Sequence, residues 1–298
     1  MAVHEKENMT IFEFKNVSKK YGKHEVLCGV SFQLKSNRIV GLLGPNGSGK
    51  TTIMKIISGL ISPTCGEVII YDNIKIKAQI EAPVFYRGLS GLDNLLYLTS
   101  NERGVTKSEI ISICEQLNMG DYIRKKTGKY SMGMRERLSV AYMLVGNANL
   151  IVLDEPFNGL DPIAIIEVRN ILHELVKKKN VTIFISSHIL KELQCFCNEI
   201  IVLNNGKMIE HTVLQDMGTV IEIEYETEED CIEGCSILNT ISKTNLKSEL
   251  RLKENDKVSD IVKKLVDSDV KITSIKKKDD IIEEIYCRSI MGCENVKS

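Results

Sequence analysis

The chain has 298 residues, of which 43% are hydrophobic and 27% are charged, and its formal net charge is -1. This length allows one large domain or two smaller ones, each with its own hydrophobic core. Because 39 basic side chains are balanced by 40 acidic ones, the composition does not indicate a nucleic-acid-binding protein. We therefore expect no nucleic-acid partner.

The sequence contains no apolar run of the roughly 18–20 residues that a transmembrane helix requires. Its first residues, MAVHEKENMT, lack the apolar core of a signal peptide. We therefore expect a cytoplasmic protein. The nine cysteines include no Cys-x-x-Cys pair, and we expect them to be reduced thiols that pack like small apolar groups.

Strand and helix patterns alternate along the first two thirds of the chain. Strands are predicted at residues 10–35 (several short ones), 39–43, 150–153, 181–185 and, as a hairpin around Asn205-Gly206, at 200–209. Helices are predicted at residues 52–60, 92–98, 107–117, 132–145 and 163–176. Strands separated by helices indicate a mostly parallel α/β sheet. Because residues 85–145 have no strand pattern, their helices are predicted to form an insert in the sheet domain.

The pattern changes after about residue 212. Strands are predicted at residues 221–225 and around 250–252, and helices at 258–266 and 281–290. We therefore predict two domains, residues 9–211 and a small α+β accessory domain of residues 212–298. The accessory domain contains no histidine and no cluster of residues that indicates catalysis.

Residues 44–51, GPNGSGKT, match the phosphate-binding pattern G-x-x-x-x-G-K-[ST] between a predicted strand and a predicted helix. The glycines allow backbone N–H groups to surround phosphate oxygens, and the helix N-terminus adds favourable partial charge. Lys50 is expected to reach the β- and γ-phosphates of ATP, and Thr51 to hold Mg²⁺. The predicted nucleotide-binding residues of this segment are Gly44, Pro45, Asn46, Gly47, Ser48, Gly49, Lys50, Thr51 and Thr52.

Two carboxylates, Asp154 and Glu155, directly follow the predicted strand at 150–153. Downstream of a phosphate-binding loop, Asp154 is a candidate Mg²⁺ ligand and Glu155 a candidate general base for the attacking water. Acidic residues after an apolar strand are also common without this chemistry, and a lone histidine such as His188 is more often structural. The phosphate loop, the Asp154–Glu155 pair and His188 all follow predicted strands, however. Open α/β sheets bind ligands at the carboxyl ends of their strands. This convergence favours a functional role.

With these motifs in this order, residues from about Thr10 to Glu210 resemble an ABC-transporter ATPase. The family's signature, usually written LSGGQ, corresponds here to residues 130–134, YSMGM. Ser131 is placed to cap the helix that follows, and a helix N-terminus presenting Ser131 and Gly133 can bind an anion. In the family this anion is the phosphate of ATP held by another subunit. The resemblance therefore implies a head-to-tail dimer, expected to be a homodimer, with Ser131, Met132 and Gly133 at the partner's nucleotide.

Three further residues match family elements. Tyr21 resembles the aromatic residue that stacks on adenine, although on its own it would more often be a packing tyrosine. Residues 158–161, NGLD, resemble the loop that lines the opposite site, which implies a nucleotide-binding role for Asp161. His188 corresponds to the histidine that contacts the γ-phosphate, which places it with Glu155 among the catalytic residues.

Two positions depart from the family pattern. The family usually has a glutamine that senses Mg²⁺ and the attacking water, and the corresponding stretch here offers Glu81. A carboxylate also binds Mg²⁺ or its water, so Glu81 is expected to act as a metal ligand and catalytic residue. Met132 replaces the first glycine of the signature. Both departures resemble the bacterial ATPases of bacitracin-resistance and lantibiotic-immunity exporters.

The resemblance implies a P-loop NTPase of ABC type over residues 9–211, with an α/β core, an antiparallel β flank and a helical insert. It also implies ATP hydrolysis that drives a separate membrane permease, docked around residues 85–98 on the inner face of the membrane, for export of an antimicrobial peptide or drug-like compound. Two alternatives stay open. A soluble ABC ATPase acting on ribosomes or DNA is disfavoured because the chain has one phosphate loop and no extended heptads. An ATP sensor that barely hydrolyses is made conceivable by Glu81.

Overall fold

The computed structural model describes residues 9–71, 73–80, 84–179, 181–190, 193, 196–214, 219–238, 240–252, 256–277, 283 and 285–289. The chain divides into two compact units, the first extending to Thr212 and the second comprising Val213–Arg288. Each unit has its own hydrophobic core.

A six-stranded sheet forms the centre of the first unit. Its strands are β3 (Ile39–Leu43), β5 (Ile76–Gln79), β6 (Leu150–Asp154), β7 (Thr182–Ser187), β8 (Glu199–Asn204) and β9 (Lys207–Val213), in the spatial order β5-β6-β7-β3-β8-β9. The pairs from β5 to β8 are all parallel. Every residue of β3 and β7 is buried, as expected for a sheet covered on both faces. The predicted mostly parallel α/β core is confirmed.

An antiparallel sheet in the order β2-β1-β4 packs on the same core and consists of β1 (Thr10–Tyr21), β2 (His24–Lys35) and β4 (Cys65–Ile70). Phe14 stacks on Phe32 at 4.7 Å between ring centroids, and Phe32 in turn stacks on Phe184 of β7 at 5.9 Å. The prediction of several short strands at 10–35 is wrong, because two twelve-residue strands are present. Their pairing shifts register at several points, and such irregularities interrupt the alternation of apolar and polar residues.

The sequence did not predict β4 or β5. Both are edge strands, and most of their residues are exposed or only half-buried. An edge strand needs little apolar surface and is commonly short. In β5, Ile76 and Ala78 alternate with Lys77 and Gln79, so this segment lacks the apolar run that identifies the central strands. Residues 68–70 of β4 do form a short apolar run, Val-Ile-Ile, but it was not predicted as a strand.

The helices of the first unit are α1 (Lys50–Ile57), α2 (Gly91–Leu98), α3 (Lys107–Gln116), α4 (Met132–Leu144) and α5 (Pro162–Lys179). The first of them ends at Ile57 rather than at the predicted Leu60, because Gly59 has a φ of 73° and the Leu60 N–H bonds back to the Lys55 carbonyl. The predicted helical insert is confirmed as α2, α3 and α4. None of the helices that the structure describes is both long and apolar enough to cross a membrane.

The second unit consists of β10 (Thr219–Tyr225), α6 (Glu228–Ile237), β11 (Ser242–Lys243), β12 (Lys247–Leu252), α7 (Val258–Asp267) and β13 (Ile272–Lys277). Its antiparallel sheet has the strand order β11-β12-β10-β13. Along the chain the elements follow the β-α-β-β-α-β order of ferredoxin-like folds. The sequence missed α6 and β13. Of the helix predicted at 281–290, Glu283 and residues 285–289 are helical, and the others lie outside the described residues.

Helix α6 carries a glycine, Gly234, where the helix crosses the sheet. A Cβ at this position would overlap the ring of Tyr225, which is 1% exposed and whose hydroxyl lies 2.8 Å from the Ser248 hydroxyl. Glycine is unfavourable in a helix interior, so the residue that permits this packing also obscures the helix in the sequence.

We predict that Gly234→Ala destabilises the second unit by about 1–3 kcal/mol, because the buried Tyr225 ring has to move. ATP binding by the first unit should stay unchanged. Thermal unfolding followed by circular dichroism, together with titration of a fluorescent ATP analogue, measures both effects. Ser236→Ala, on the exposed side of the same helix, is the matched control. An unfolding curve identical to that of the wild type would contradict the packing described here.

Candidate functional site

The phosphate-binding loop, residues 44–51, connects the carboxyl end of β3 to the N-terminus of α1. Gly44 lies against the backbone carbonyl of Leu203 on β8, and a Cβ there would overlap that oxygen. Gly49 has a φ of 107° and directly precedes the helix. These two positions therefore require glycine. The tight turn brings the first N–H groups of α1 towards the end of the sheet, where an anion is favoured.

Lys50 is 7% exposed, and its ammonium donates to the carbonyls of Gly44 at 2.7 Å and Pro45 at 3.2 Å. Burial lowers the pKa of Lys50, and the carboxylates of Glu155 and Asp154 counteract this effect. The Ser48 hydroxyl in the same loop is buried and has no hydrogen-bond partner among the described residues. A buried cation and an unsatisfied hydroxyl are the groups expected in a phosphate site.

Asp154 is held on both carboxylate oxygens. The Thr51 hydroxyl donates to Oδ2 at 3.0 Å, and the Ser186 hydroxyl donates to Oδ1 at 2.6 Å. The Ser186 oxygen also accepts from the backbone N–H of Glu155 at 2.9 Å. These residues meet because β3, β7 and β6 are parallel neighbours whose carboxyl ends lie at one edge of the sheet.

Glu155 follows β6 with a φ of 51°, a left-handed conformation that is uncommon for residues other than glycine. Its Oε2 lies 2.6 Å from Nδ1 of His188, which directly follows β7. The Glu155 side chain is 22% exposed and that of His188 46%. The pair therefore stands at the mouth of the phosphate loop, with a carboxylate that a histidine orients and that water can reach.

The structure thus gathers Lys50, Thr51, Asp154, Glu155 and His188 into one connected cluster. The other predicted residues of the phosphate loop, Gly44 to Gly49, and Thr52 adjoin Lys50 and Thr51 in the chain. The remaining predicted residues lie outside this cluster or are not described.

Tyr21 is 49% exposed at the end of β1, with the Lys19 ammonium 5.2 Å from its ring centroid. Ser131 caps α4 by accepting from the Met134 N–H at 3.3 Å. Asp161 accepts a 2.9 Å hydrogen bond from the Ala164 N–H, which lowers the pKa of its carboxyl. Glu81 lies outside the described residues.

Sequence reasoning missed two residues of this region. Ser186 immediately follows the predicted strand at 181–185, but a serine there is unremarkable until the neighbouring strand is known. Gln79 is 7% exposed at the end of β5, and its amide donates to Glu136 of α4 at 3.3 Å. Burial raises the pKa of Glu136, and the hydrogen bond from Gln79 opposes this. The signal for Gln79 was a polar residue between the apolar Ala78 and Ile80.

The chain is similar in sequence and in fold to known proteins. The family model described as ABC transporter matches residues 27–158. The chain is 34% identical to the ABC transporter ATP-binding protein YhcH of Bacillus subtilis, over 90% of this chain and 92% of that protein. It is 36% identical to the lantibiotic transport ATP-binding protein SrtF of Streptococcus pyogenes, over 75% of this chain and 95% of SrtF.

Two further similarities extend this picture. The bacitracin transport ATP-binding protein BcrA of Bacillus licheniformis is 37% identical, over 67% of this chain and 69% of BcrA. Among solved structures, the dimeric ATP-binding cassette MJ0796 bound to ADP and Pi matches with a TM-score of 0.62 and 25% identity, over 68% of this chain and 98% of MJ0796.

The chain belongs to the ABC transporter family, as one of its ATP-binding proteins. The predicted family, fold and ATPase activity are therefore confirmed. The site described above combines a phosphate loop with a carboxylate pair at one sheet edge.

We predict that Lys50→Ala abolishes ATP binding, because Lys50 is the cation that the structure places in the phosphate loop. Equilibrium titration with a fluorescent ATP analogue measures this, and Lys55→Ala on the same helix is the control. Binding by Lys50→Ala at near wild-type affinity would exclude the loop as the nucleotide site.

Proposed function

We propose that two copies of this chain bind two ATP molecules head to tail and that their hydrolysis drives a separate permease. The permease is proposed to export an antimicrobial peptide or a similar compound, with the ATPase held at the inner face of the membrane. The single observation that carries the hydrolytic part is the Glu155–His188 contact of 2.6 Å beside the phosphate loop. The names of SrtF and BcrA, which refer to lantibiotic and bacitracin transport, support the substrate class.

The residues at the sheet edge fit a magnesium ion. Thr51 and Asp154 offer a hydroxyl and a carboxylate oxygen 3.0 Å apart, and Mg²⁺ prefers such oxygen ligands together with phosphates and water. When bound, Mg²⁺ neutralises charge on the phosphates of ATP. Glu81 is proposed as a further ligand.

The residues of the site then have separate proposed tasks. Lys50 binds the terminal phosphates, and Glu155 accepts a proton from the attacking water. His188 orients the Glu155 carboxylate and contacts the γ-phosphate. Ser186 fixes the acidic pair by its two hydrogen bonds. The exposed ring of Tyr21 is available to stack on adenine.

The first turn of α4 supports the head-to-tail arrangement. Ser131 and Met132 are both exposed, and Ser131 leaves the other N–H groups of this helix terminus available to an anion. In the proposed dimer this turn and Asp161 line the ATP of the second copy. The dimeric state of MJ0796 is in line with this assembly.

An apolar face at the start of the helical insert is proposed as the permease docking site. It consists of Val84, Tyr86, Leu89 and Tyr97, which are 91%, 53%, 38% and 58% exposed. The rings of Tyr86 and Tyr97 meet edge to face at 5.1 Å. Fully buried Asn94 fixes the loop by bonding both the N–H and the carbonyl of Tyr86. A preorganised, exposed aromatic pair is typical of a protein interface.

We predict that the double variant Tyr86→Ala/Tyr97→Ala keeps ATP binding within about twofold but loses co-purification with its permease, since central aromatic residues commonly contribute most of an interface's affinity. Leu60→Ala, which removes an equally exposed apolar side chain elsewhere, is the control. Undiminished co-purification of the double variant would place the docking site elsewhere.

Glu155→Gln tests the catalytic assignment and the dimer together. The amide keeps the size of the side chain but not its basicity, so hydrolysis should fall by roughly 10²–10⁴. ATP should still bind, and slow hydrolysis should trap the dimer. Light scattering after gel filtration, with and without ATP, measures this. Wild-type turnover would exclude Glu155 as the base, and a permease-bound sample that binds ATP without pairing would count against the head-to-tail dimer.

A further inference from the structure

The first turn of α4 packs against the turn that follows β6. The Met132 Cε, Sδ and Cγ atoms lie 2.9–3.0 Å from the position that a Cβ on Gly159 would occupy. The side chain of Met132 therefore covers the bare face of Gly159. The two backbones also approach each other, since a Cβ on Gly133 would lie 3.3 Å from the Gly159 carbonyl oxygen.

The turn that Met132 covers is bonded directly to the general base. The Asn158 N–H donates to the Glu155 carbonyl at 3.2 Å, and the Leu160 N–H donates to the Phe157 carbonyl at 3.2 Å. A shift of Gly159 therefore moves Asn158, and with it the backbone of Glu155. Because Glu155 has a left-handed φ of 51°, few alternative conformations keep its carboxylate in place.

A second contact, about one and a half turns further along α4, joins this helix to the segment after β6 and to α5. Arg137 lies 3.7 Å from Asp161 and 3.6 Å from Glu167 of α5. This contact holds the helix bodies together when Met132 is changed. Replacement of Met132 should therefore loosen the turn at 157–160 alone and leave the packing of α4 on α5 in place.

The Met132 side chain is 60% exposed, so it is not a core residue, and its loss should cost little stability. Its unbranched thioether adapts to a flat surface such as Gly159. Burial does not explain a large apolar residue at this exposed helix start. The contact with Gly159 does.

We propose that Met132 is a positioning residue for hydrolysis: its side chain clamps Gly159 and, through Asn158, holds the Glu155 carboxylate in its working position. This inference rests on the proposed function, since Ser131 and Gly133 of the same turn are assigned there to the ATP of the second copy. The clamp thus joins the turn that contacts one ATP to the base that acts on the other.

The test compares Met132→Ala, which removes the clamp, with Met132→Leu, which keeps an apolar side chain of similar size. Met132→Ala should lower kcat about three- to tenfold, since small displacements of catalytic groups reduce rate strongly. Any rise in KM for ATP would report the proposed contact of this turn with the ATP of the second copy instead. Met132→Leu should restore most of kcat. Ile166→Ala on α5, with a similarly exposed side chain at 57% against 60%, is the matched control and should behave as the wild type.

Hydrogen–deuterium exchange of the amides in residues 157–161 gives a readout that does not depend on turnover. Met132→Ala should speed this exchange, and Met132→Leu should leave it near the wild-type rate. If the wild-type chain does not hydrolyse ATP, the proposed function fails, while the exchange experiment still decides the clamp. Unchanged exchange and unchanged kcat in Met132→Ala would overturn the inference.

A double-mutant cycle separates the contact from general weakening of the turn. Gly159→Ala in the wild type introduces both an overlap with Met132 and strain at a φ of 79°. In the Met132→Ala background only the strain is left, so Gly159→Ala should reduce kcat less there. Residues in contact give such non-additive effects. Equal reductions in the two backgrounds would show that Met132 does not act through Gly159.

Discussion

One hydroxyl group determines how the two acidic residues of the site can act. Ser186 donates to the Asp154 carboxylate and accepts from the Glu155 N–H, so neighbouring residues are fixed by a single atom on the adjacent strand. This arrangement requires β6 and β7 to be parallel and in register, and Asp154 is indeed the partner of Ser186. Two features of the first unit support that register. The neighbouring strands are buried, and the phosphate loop is bonded to Asp154 through Thr51.

The sequence predicted those residues of the site whose type and spacing alone indicate their chemical role. Lys50 and Thr51 belong to a pattern that few other structures require, and Asp154 follows a predicted strand downstream of that pattern. The three residues lie together as expected. Ser186 could not be predicted in the same way, since its role depends on which strand is its neighbour. The contact of Met132 with Gly159 likewise depends on packing between segments distant in sequence. In the fold, buried strands were predictable, whereas β5 and the glycine-bearing helix α6 were not, because exposure and close packing replace the usual apolar pattern. Strand β4 was missed although its residues 68–70 form a short apolar run.

The two units differ in what their sequences must satisfy. In the first, backbone geometry at Gly44 and Gly49 serves a ligand site. In the second, Gly234 serves only the fit of a helix on Tyr225. SrtF is matched over 95% of its length by only 75% of this chain, so about a quarter of the chain has no counterpart there. The second unit has a hydrophobic core of its own, so its packing does not rely on the core residues of the first unit.

Glu155 has a left-handed backbone conformation, so the residue that would be most stable at this position differs from the residue that the proposed chemistry needs. A residue other than glycine held in such a conformation costs of order 1–3 kcal/mol. Glycine would relieve that cost and stabilise the fold, yet it would remove the carboxylate that we propose as the base. Selection for a more heat-resistant chain and selection for turnover therefore favour opposite residues here. Laboratory evolution for thermostability alone should drift towards an inactive glycine at this position.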